Sequence, residues 1–303
     1  TTSLGKANCM DVKIDRRLQT HIEGLVKGFP GEVGIYVKNL RNGTIASVRA
    51  DELFPTASIV KIPILIGIAD KLDKHELDYH LKLTYTDDLL YEGEDILGSF
   101  KTKEKIELSK LIMLMLTTSD NTASLWLQAL AGGGARINSI LAELGYSATR
   151  VNSRTDGRKD AQATYGWGQT SPREIATILE RIATGKLLTP ASSERMLRCL
   201  GRNYWDEEAL GQLPPDIFVA SKNGAVNQSR SEVLYVKAPN NPYVFSIITR
   251  NQKDQSWGNA NEGWVLARTL SRDLWHHFEP RSPWKASQPL AAGPSVTKRG
   301  GIA

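Results

Sequence analysis

Residues 58–72, Ser-Ile-Val-Lys-Ile-Pro-Ile-Leu-Ile-Gly-Ile-Ala-Asp-Lys-Leu, are apolar on almost every side of a helical wheel. A helix of that kind has no face to give to water and must be surrounded by other elements. Its uncharged part, from Ile62 to Ala69, is far too short to cross a bilayer, which takes ~20 residues. The rest of the chain must therefore supply the surroundings. With 303 residues, 41% apolar and 23% charged, it has the material for a large core in one or two domains. The same composition excludes a disordered chain, a collagen-like repeat and a disulfide scaffold. The 38 basic and 33 acidic residues leave a net charge of +5, spread along the chain with no dense Lys/Arg block. No nucleic-acid partner is expected from that pattern.

Periodicity and capping signals order the remaining elements. A helix is predicted over 11–27, with Ile14, Leu18, His21, Ile22 and Leu25 on one face, then a hairpin of 33–37 and 44–48 around Arg41-Asn42-Gly43. Residues 107–116 repeat the apolar helical spacing through Leu108, Leu111, Ile112 and Met115. Ile137, Ile140, Leu141 and Leu144 form another stripe, closed by Gly145. Ser171-Pro172-Arg173-Glu174 reads as a capping box with Pro at the first helical position, and Thr189-Pro190 opens a helix that Gly201 ends. Strand-like runs return at 217–221, 232–236 and 243–249, and a long amphipathic helix finishes near Phe278. Strands at both ends with helices between predict an α/β region of residues 1–57 and 202–279, a helical region of 58–201, and a flexible tail of 280–303.

A Ser followed three residues later by Lys on a helix places hydroxyl and amine on one face, where a neutral amine can take the hydroxyl proton. The pattern occurs at Ser3, Ser58, Ser282 and Ser295, but only Ser58 and Lys61 open a buried helix. There the helix N-terminus supplies amides for an oxyanion, and burial lowers the lysine pKa. Ser119-Asp120-Asn121 offers a hydroxyl and an amide after one apolar helix, though the same residues cap the helix of 122–130. Lys222-Asn223-Gly224 follows a strand; Asn-Gly there is equally a hairpin turn. The five histidines show no paired ligand spacing, so no metal and no cofactor is expected. Cys9 and Cys199 either pair in an oxidising compartment or sit apart as small hydrophobes.

Ser-x-x-Lys, Ser-Asp-Asn and Lys-x-Gly, in this order and context, resemble the signature of class A β-lactamases and penicillin-binding proteins. The resemblance extends over 33–278, including Phe54-Pro55, the run from Ser119 to Ala123 and the Thr-Ser-Pro capping box after a loop. It implies an α/β (α+β) fold whose antiparallel sheet, built from both chain ends, carries an inserted helical region. It implies a serine hydrolase acting on β-lactam-type amides: Ser58 as nucleophile, Lys61 as base, Ser119 as proton relay supported by Lys222, and Asn121 orienting the substrate amide. The backbone amides of Ser58 and Ala225 would form the oxyanion hole beside Gly224, with Arg230 toward a substrate carboxylate. Asn223 stands where the family has Thr or Ser, which predicts weaker carboxylate recognition. The Glu-x-x-Leu-Asn string of true class A enzymes is missing; by counting, Asp156 falls near the place of the Glu and Asp160 near that of the Asn, while Asp156-Gly157 is also an ordinary loop turn. An inefficient β-lactamase, a D,D-peptidase-like penicillin-binding hydrolase and a non-hydrolysing sensor all follow from this pattern. The implied partner is a β-lactam or peptidoglycan-like peptide, and the implied setting a monomer in the periplasm or outside the cell. The sequence opens at Thr1-Thr2-Ser3 without a basic-then-apolar leader, so any signal peptide would already be removed.

Overall fold

The computed structural model describes residues 13–93, 95–287 and 289–290. Cys9, the expected helix start at Asp11 and the Ser3 and Ser295 motifs lie outside them. The first half of the chain runs α1 (Arg16–Val26), β1 (Glu32–Asn39), β2 (Ile45–Val48), β3 (Phe54–Pro55), α2 (Lys61–Asp73), β4 (Lys82–Thr84), β5 (Lys105–Glu107), α3 (Leu108–Thr117), α4 (Asn121–Leu130) and α5 (Gly133–Glu143). The second runs β6 (Arg150–Val151), α6 (Lys159–Tyr165), β7 (Gly168–Thr170), α7 (Pro172–Ala183), α8 (Pro190–Leu200), β8 (Val219–Val226), β9 (Ser229–Val236), β10 (Tyr243–Arg250) and α9 (Glu262–Phe278).

Both chain ends build one antiparallel sheet of order β2-β1-β10-β9-β8. Side chains alternate across a strand, so each strand feeds two cores. Ile35, Val37, Leu234, Phe245 and Ile247 pack against Leu18 and Ile22 of α1 and Leu270 and Leu274 of α9. Tyr36, Val233, Val244 and Ile248 pack on the opposite side, with α7 and the helices between. That second core surrounds α2, where every residue from Lys61 to Ala69 is buried. Each fully buried Ile there contributes about 2 kcal/mol of hydrophobic stabilisation. Pro63 is tolerated because the first-turn amides have no partner within the helix. Among the described residues no helix is long and apolar enough to cross a membrane.

Several local expectations change. Ile14 is extended and exposed, bridging Ile45, and α1 starts after Asp15, whose carboxylate accepts the Leu18 N–H at 3.0 Å. His21 faces away from the core to Asp273 at 2.8 Å, and His277 reaches Asp15 at 2.7 Å, so two imidazole–carboxylate contacts pin α1 to α9. Ser171 caps α7, but the capping box is not reciprocal. Glu174 instead takes the N–H groups of Ser147, Ala148 and Thr149, tying the turn after α5 to α7. The strand expected at 217–221 runs on as Val219–Val226, so Asn223-Gly224 lies within a strand and Asn227-Gln228 make the turn. The segment after Phe278 is docked as far as it is described: Trp284 Nε1 donates to Gln212 O at 2.9 Å and Leu290 O accepts from Arg268.

Candidate active site

Ser58 stands where a short pair of strands hands over to α2. Thr56 N donates to Gly168 O at 3.0 Å, Ala57 takes a left-handed φ of 45°, and residues Ala57–Val60 form a 3-10 turn before the α-helix begins at Lys61. The nucleophile candidate thus lies on a tight turn and not on the first α-helical residue. A left-handed Ala costs about 1–3 kcal/mol, as does Ser119 at φ 62°. Ser119 contacts the Lys61 amine directly, and Ala57 immediately precedes Ser58, whose hydroxyl faces the same amine.

Lys61 has no exposed surface. Its Nζ lies 2.8 Å from Asn121 Oδ1, 2.9 Å from Ser119 Oγ, 2.5 Å from Ser119 O and 3.2 Å from Ser58 Oγ. Burial pushes its pKa down to about 7, against the opposing charges of Asp95 and Asp120. A neutral amine has two donors and one lone pair; with Ser119 and Asn121 accepting, the lone pair is available to the Ser58 hydroxyl. The Ser119 segment is held by carboxylates. Asp120 caps α4 through Ala123 N at 2.8 Å and also takes Leu97 N, while Asp95 takes the N–H groups of Asn121 and Thr122.

The third motif comes from the free edge of the sheet. Lys222, in mid-β8, is fully buried, and its Nζ donates to Asn223 O at 2.8 Å. Burial first, and then the charge of Lys61, hold its pKa well below the ordinary lysine range. A Cβ added to Gly224 would stand 2.6 Å from Ser58 N and 2.8 Å from Thr56 O, so β8 approaches the Ser58 turn as closely as only glycine permits. Asn223 lies 3.4 Å from Asn203 Nδ2, which also donates to Ser221 Oγ.

These elements border a cleft of about 950 Å³ whose wall includes Ser58, Asn121 and Ala225. Tyr91 and Trp167 meet edge to face there, with ring centroids 5.1 Å apart. At the far end Glu32 and Arg250, a cross-strand pair of β1 and β10, face each other at 3.0 Å. The Arg250 guanidinium, followed by Asn251, draws the Glu32 pKa down to about 2. Sequence reading missed this pair, since its partners are joined only by strand register. Trp257, an exposed Trp in a polar loop, was the available signal for that wall.

Two expected site residues are placed elsewhere. Asp156 is exposed on the turn before α6 and is not among the residues lining the cleft. The loop of residues 152–167 closes on its own interior: Arg158 binds Asn152 Oδ1 and Gln169 Oε1, and Asn152 N and Ser153 N both bind Trp167 O. Position-counting failed because this loop contains a helix of its own. Arg230 is 1% exposed and turned into the protein, where it donates to Val226 O, Ser229 O and Ser256 O under the Trp257 ring. It braces the cleft wall and does not face the cleft.

Fold and site together define a class A β-lactamase-like serine hydrolase. The chain matches the beta-lactamase enzyme family over residues 17–278 and belongs to it. Among solved structures, PBP-A is 28% identical with a TM-score of 0.78, over 89% of this chain and 98% of that one. A single-residue variant of PBP-A, solved as an acyl-enzyme complex with penicillin G, matches at 27% identity and a TM-score of 0.78, over 88% and 98%. The class A β-lactamase from Mycobacterium abscessus shares the fold at 22% identity and a TM-score of 0.74, over 86% and 98%.

Proposed function

We propose that the protein opens β-lactam-type amides through an ester on Ser58 and releases the product slowly. The observation that supports this most is the buried Lys61 amine between the Ser58 and Ser119 hydroxyls. Ser58 Oγ attacks the carbonyl carbon while its proton passes to Lys61. The backbone N–H groups of Ser58 and Ala225 hold the oxyanion, a contribution of ~10²–10³ in rate for such donors. Collapse breaks the C–N bond, and the departing nitrogen takes a proton through Ser119, whose field Lys222 tunes. Asn121 orients the substrate amide, while Asn223 and Gly224 offer it a strand edge.

Water must then cleave the ester, and that step needs a base within reach. Among the described residues lining the cleft the carboxylate is Glu32, already engaged by Arg250 and Asn251. Asp156, off that wall, takes no part in this mechanism. A D,D-peptidase-like penicillin-binding hydrolase, outside the cytoplasm, is the second reading, supported by this lack of a free base and by the likeness to PBP-A.

Intact-mass measurement after mixing with penicillin G tests both. A long-lived adduct that maps to Ser58 and is lost in Ser58→Ala is the expected result. Unmodified protein with hydrolysed drug would replace slow release by efficient lactamase turnover, and an adduct on Ser119 would overturn the nucleophile assignment.

A further inference from the structure

The cleft runs on past the Ala225 amide, and that end lies outside the groups that open the substrate amide. β8 leads from Ala225 through Val226 to the Asn227-Gln228 turn, which begins about 7 Å farther on at strand spacing. Gln255 and Trp257, from the loop before α9, complete the wall there with Glu32 and Arg250 at the ends of β1 and β10. At about 950 Å³ the cleft is at the upper end of the range for small-molecule sites, with room for a group beyond the reacting amide.

The side chains of Asn227, Gln228 and Gln255 are exposed and have no hydrogen-bond partner among the described residues. Each amide presents a donor and an acceptor side by side. Glu32 and Arg250 do the same as a pair: they bond each other, stay partly accessible and bring no net charge. Trp257 is 65% exposed on the cleft wall. The buried Arg230 guanidinium lies 4.8 Å from its ring centroid, and Arg230 and Asn261 both donate to the carbonyl of Ser256 just before it. The indole is thus backed from inside the protein before any ligand arrives.

A hydroxyl is donor and acceptor at once, and taking it out of water costs free energy unless it finds partners. Paired donors and acceptors without net charge, beside a flat apolar ring, match a pyranose, whose rim carries hydroxyls and whose face carries C–H groups. A charged group would meet an ion pair already matched, and an apolar group would cover the amides and leave them unbonded. We infer that this end of the cleft is a subsite for an uncharged pyranose, the sugar portion of the molecule whose amide Ser58 attacks. It rests on the serine-hydrolase reading for what the sugar is joined to, while binding of the sugar is measurable by itself.

NMR titration of the isotope-labelled native protein with N-acetylchitotetraose reads that binding without turnover, and an uncharged peptide, N-acetyl-tetraalanine amide, is the control. The expected result is saturable binding of the saccharide with a Kd below about 10 mM, a shift of the Trp257 indole N–H signal, and no such shift with the peptide. Trp257→Ala should raise Kd by about tenfold or more and Gln255→Ala by about threefold. Both residues are exposed, and thermal unfolding checks that each variant is folded. No saturable binding by the native protein, or a Kd unchanged in both variants, would overturn the inference and leave the Ser58 chemistry untouched. Tighter binding of the peptide at the Trp257 signal would make this a peptide subsite and overturn it equally. If the saccharide binds but penicillin G leaves Ser58 unmodified, the serine-hydrolase reading falls, and with it the sugar's place in a substrate.

Discussion

At Lys61 the side chain that supplies the site's reactivity is the one its surroundings least favour in charged form. Desolvation lowers its pKa to about 7, and Asp95 and Asp120 keep it from falling further. Below that pH the ammonium has no lone pair; above it the amine is free to take the Ser58 proton. Acylation by penicillin G should therefore rise with pH through an apparent pKa of about 7 and level off above it. Lys61→Arg, which stays charged, should slow acylation by about 10²–10⁴ and abolish the rising limb. Asp95→Asn removes a negative charge that favours the ammonium, so the limb should move to lower pH. Stopped-flow acylation across pH 5 to 10 checks all three. A flat profile in the wild type would deny Lys61 the role of base.

The elements succeed or fail as a matter of approach distance, and β8 against the Ser58 turn is the tightest case. A methyl at residue 224 meets backbone atoms, which cannot swing aside as a flexible side chain would. Gly224→Ala should push the turn away and cost about 10² in acylation, the scale of an ångström's misplacement, while thermal unfolding shifts little. Unchanged acylation would show that the turn relaxes freely. The elements legible in the sequence were those with local causes. Ser171 and Thr189 cap their helices as their hydroxyls predict, and the all-apolar run of α2 is buried on every side. The three motifs carrying Ser58, Ser119 and Lys222 converge because each was tied to a helix start or a strand. What was hidden had distant causes. The 3-10 turn at Ser58 is imposed by β3, β7 and β8, while its own periodicity reads as plain helix. Asn223-Gly224 carries turn chemistry, yet eight residues of pairing with β9 keep it extended. Arg230, expected toward a substrate carboxylate, is drawn inward by the carbonyls of Val226 and Ser229 just before it and by Ser256 O, Trp257 and Trp264 of later segments, which the sequence could not place beside it.

Taken whole, the molecule places its sheet between two apolar cores and leaves ionisable groups inside the junction with α9. Glu232 on β9 has no exposed surface and accepts the N–H groups of Ala209 and Leu210, and near it Glu208 pairs with Arg268 of α9. Burial raises the Glu232 carboxyl to about 8, with Glu208 adding to the rise and Lys222 opposing it, and burial likewise raises Glu208 to about 7. An unfolded glutamate ionises near 4.5, so between that pH and about 8 the native state holds a proton that the unfolded chain has lost. Stability contributed by a raised group is present in full below the unfolded pKa and drains away as pH rises through the folded one. Lys61 and Lys222, whose pKa values are depressed, act in the reverse sense over a higher window: the native state sheds their protons first, and stability returns as pH climbs from about 7 toward the ordinary lysine value. Glu232→Gln keeps one oxygen for the Ala209 N–H, gives up the longer contact from Leu210 N, and removes the titration. Its Tm relative to the wild type should be lowest near pH 5 and rise steadily toward pH 8, where the native carboxyl must otherwise ionise in an apolar interior. Calorimetric Tm values for both proteins at pH 5, 6.5 and 8 give the comparison. A constant Tm difference across that range would mean that Glu232 does not change protonation on unfolding, and the junction with α9 would then be indifferent to pH.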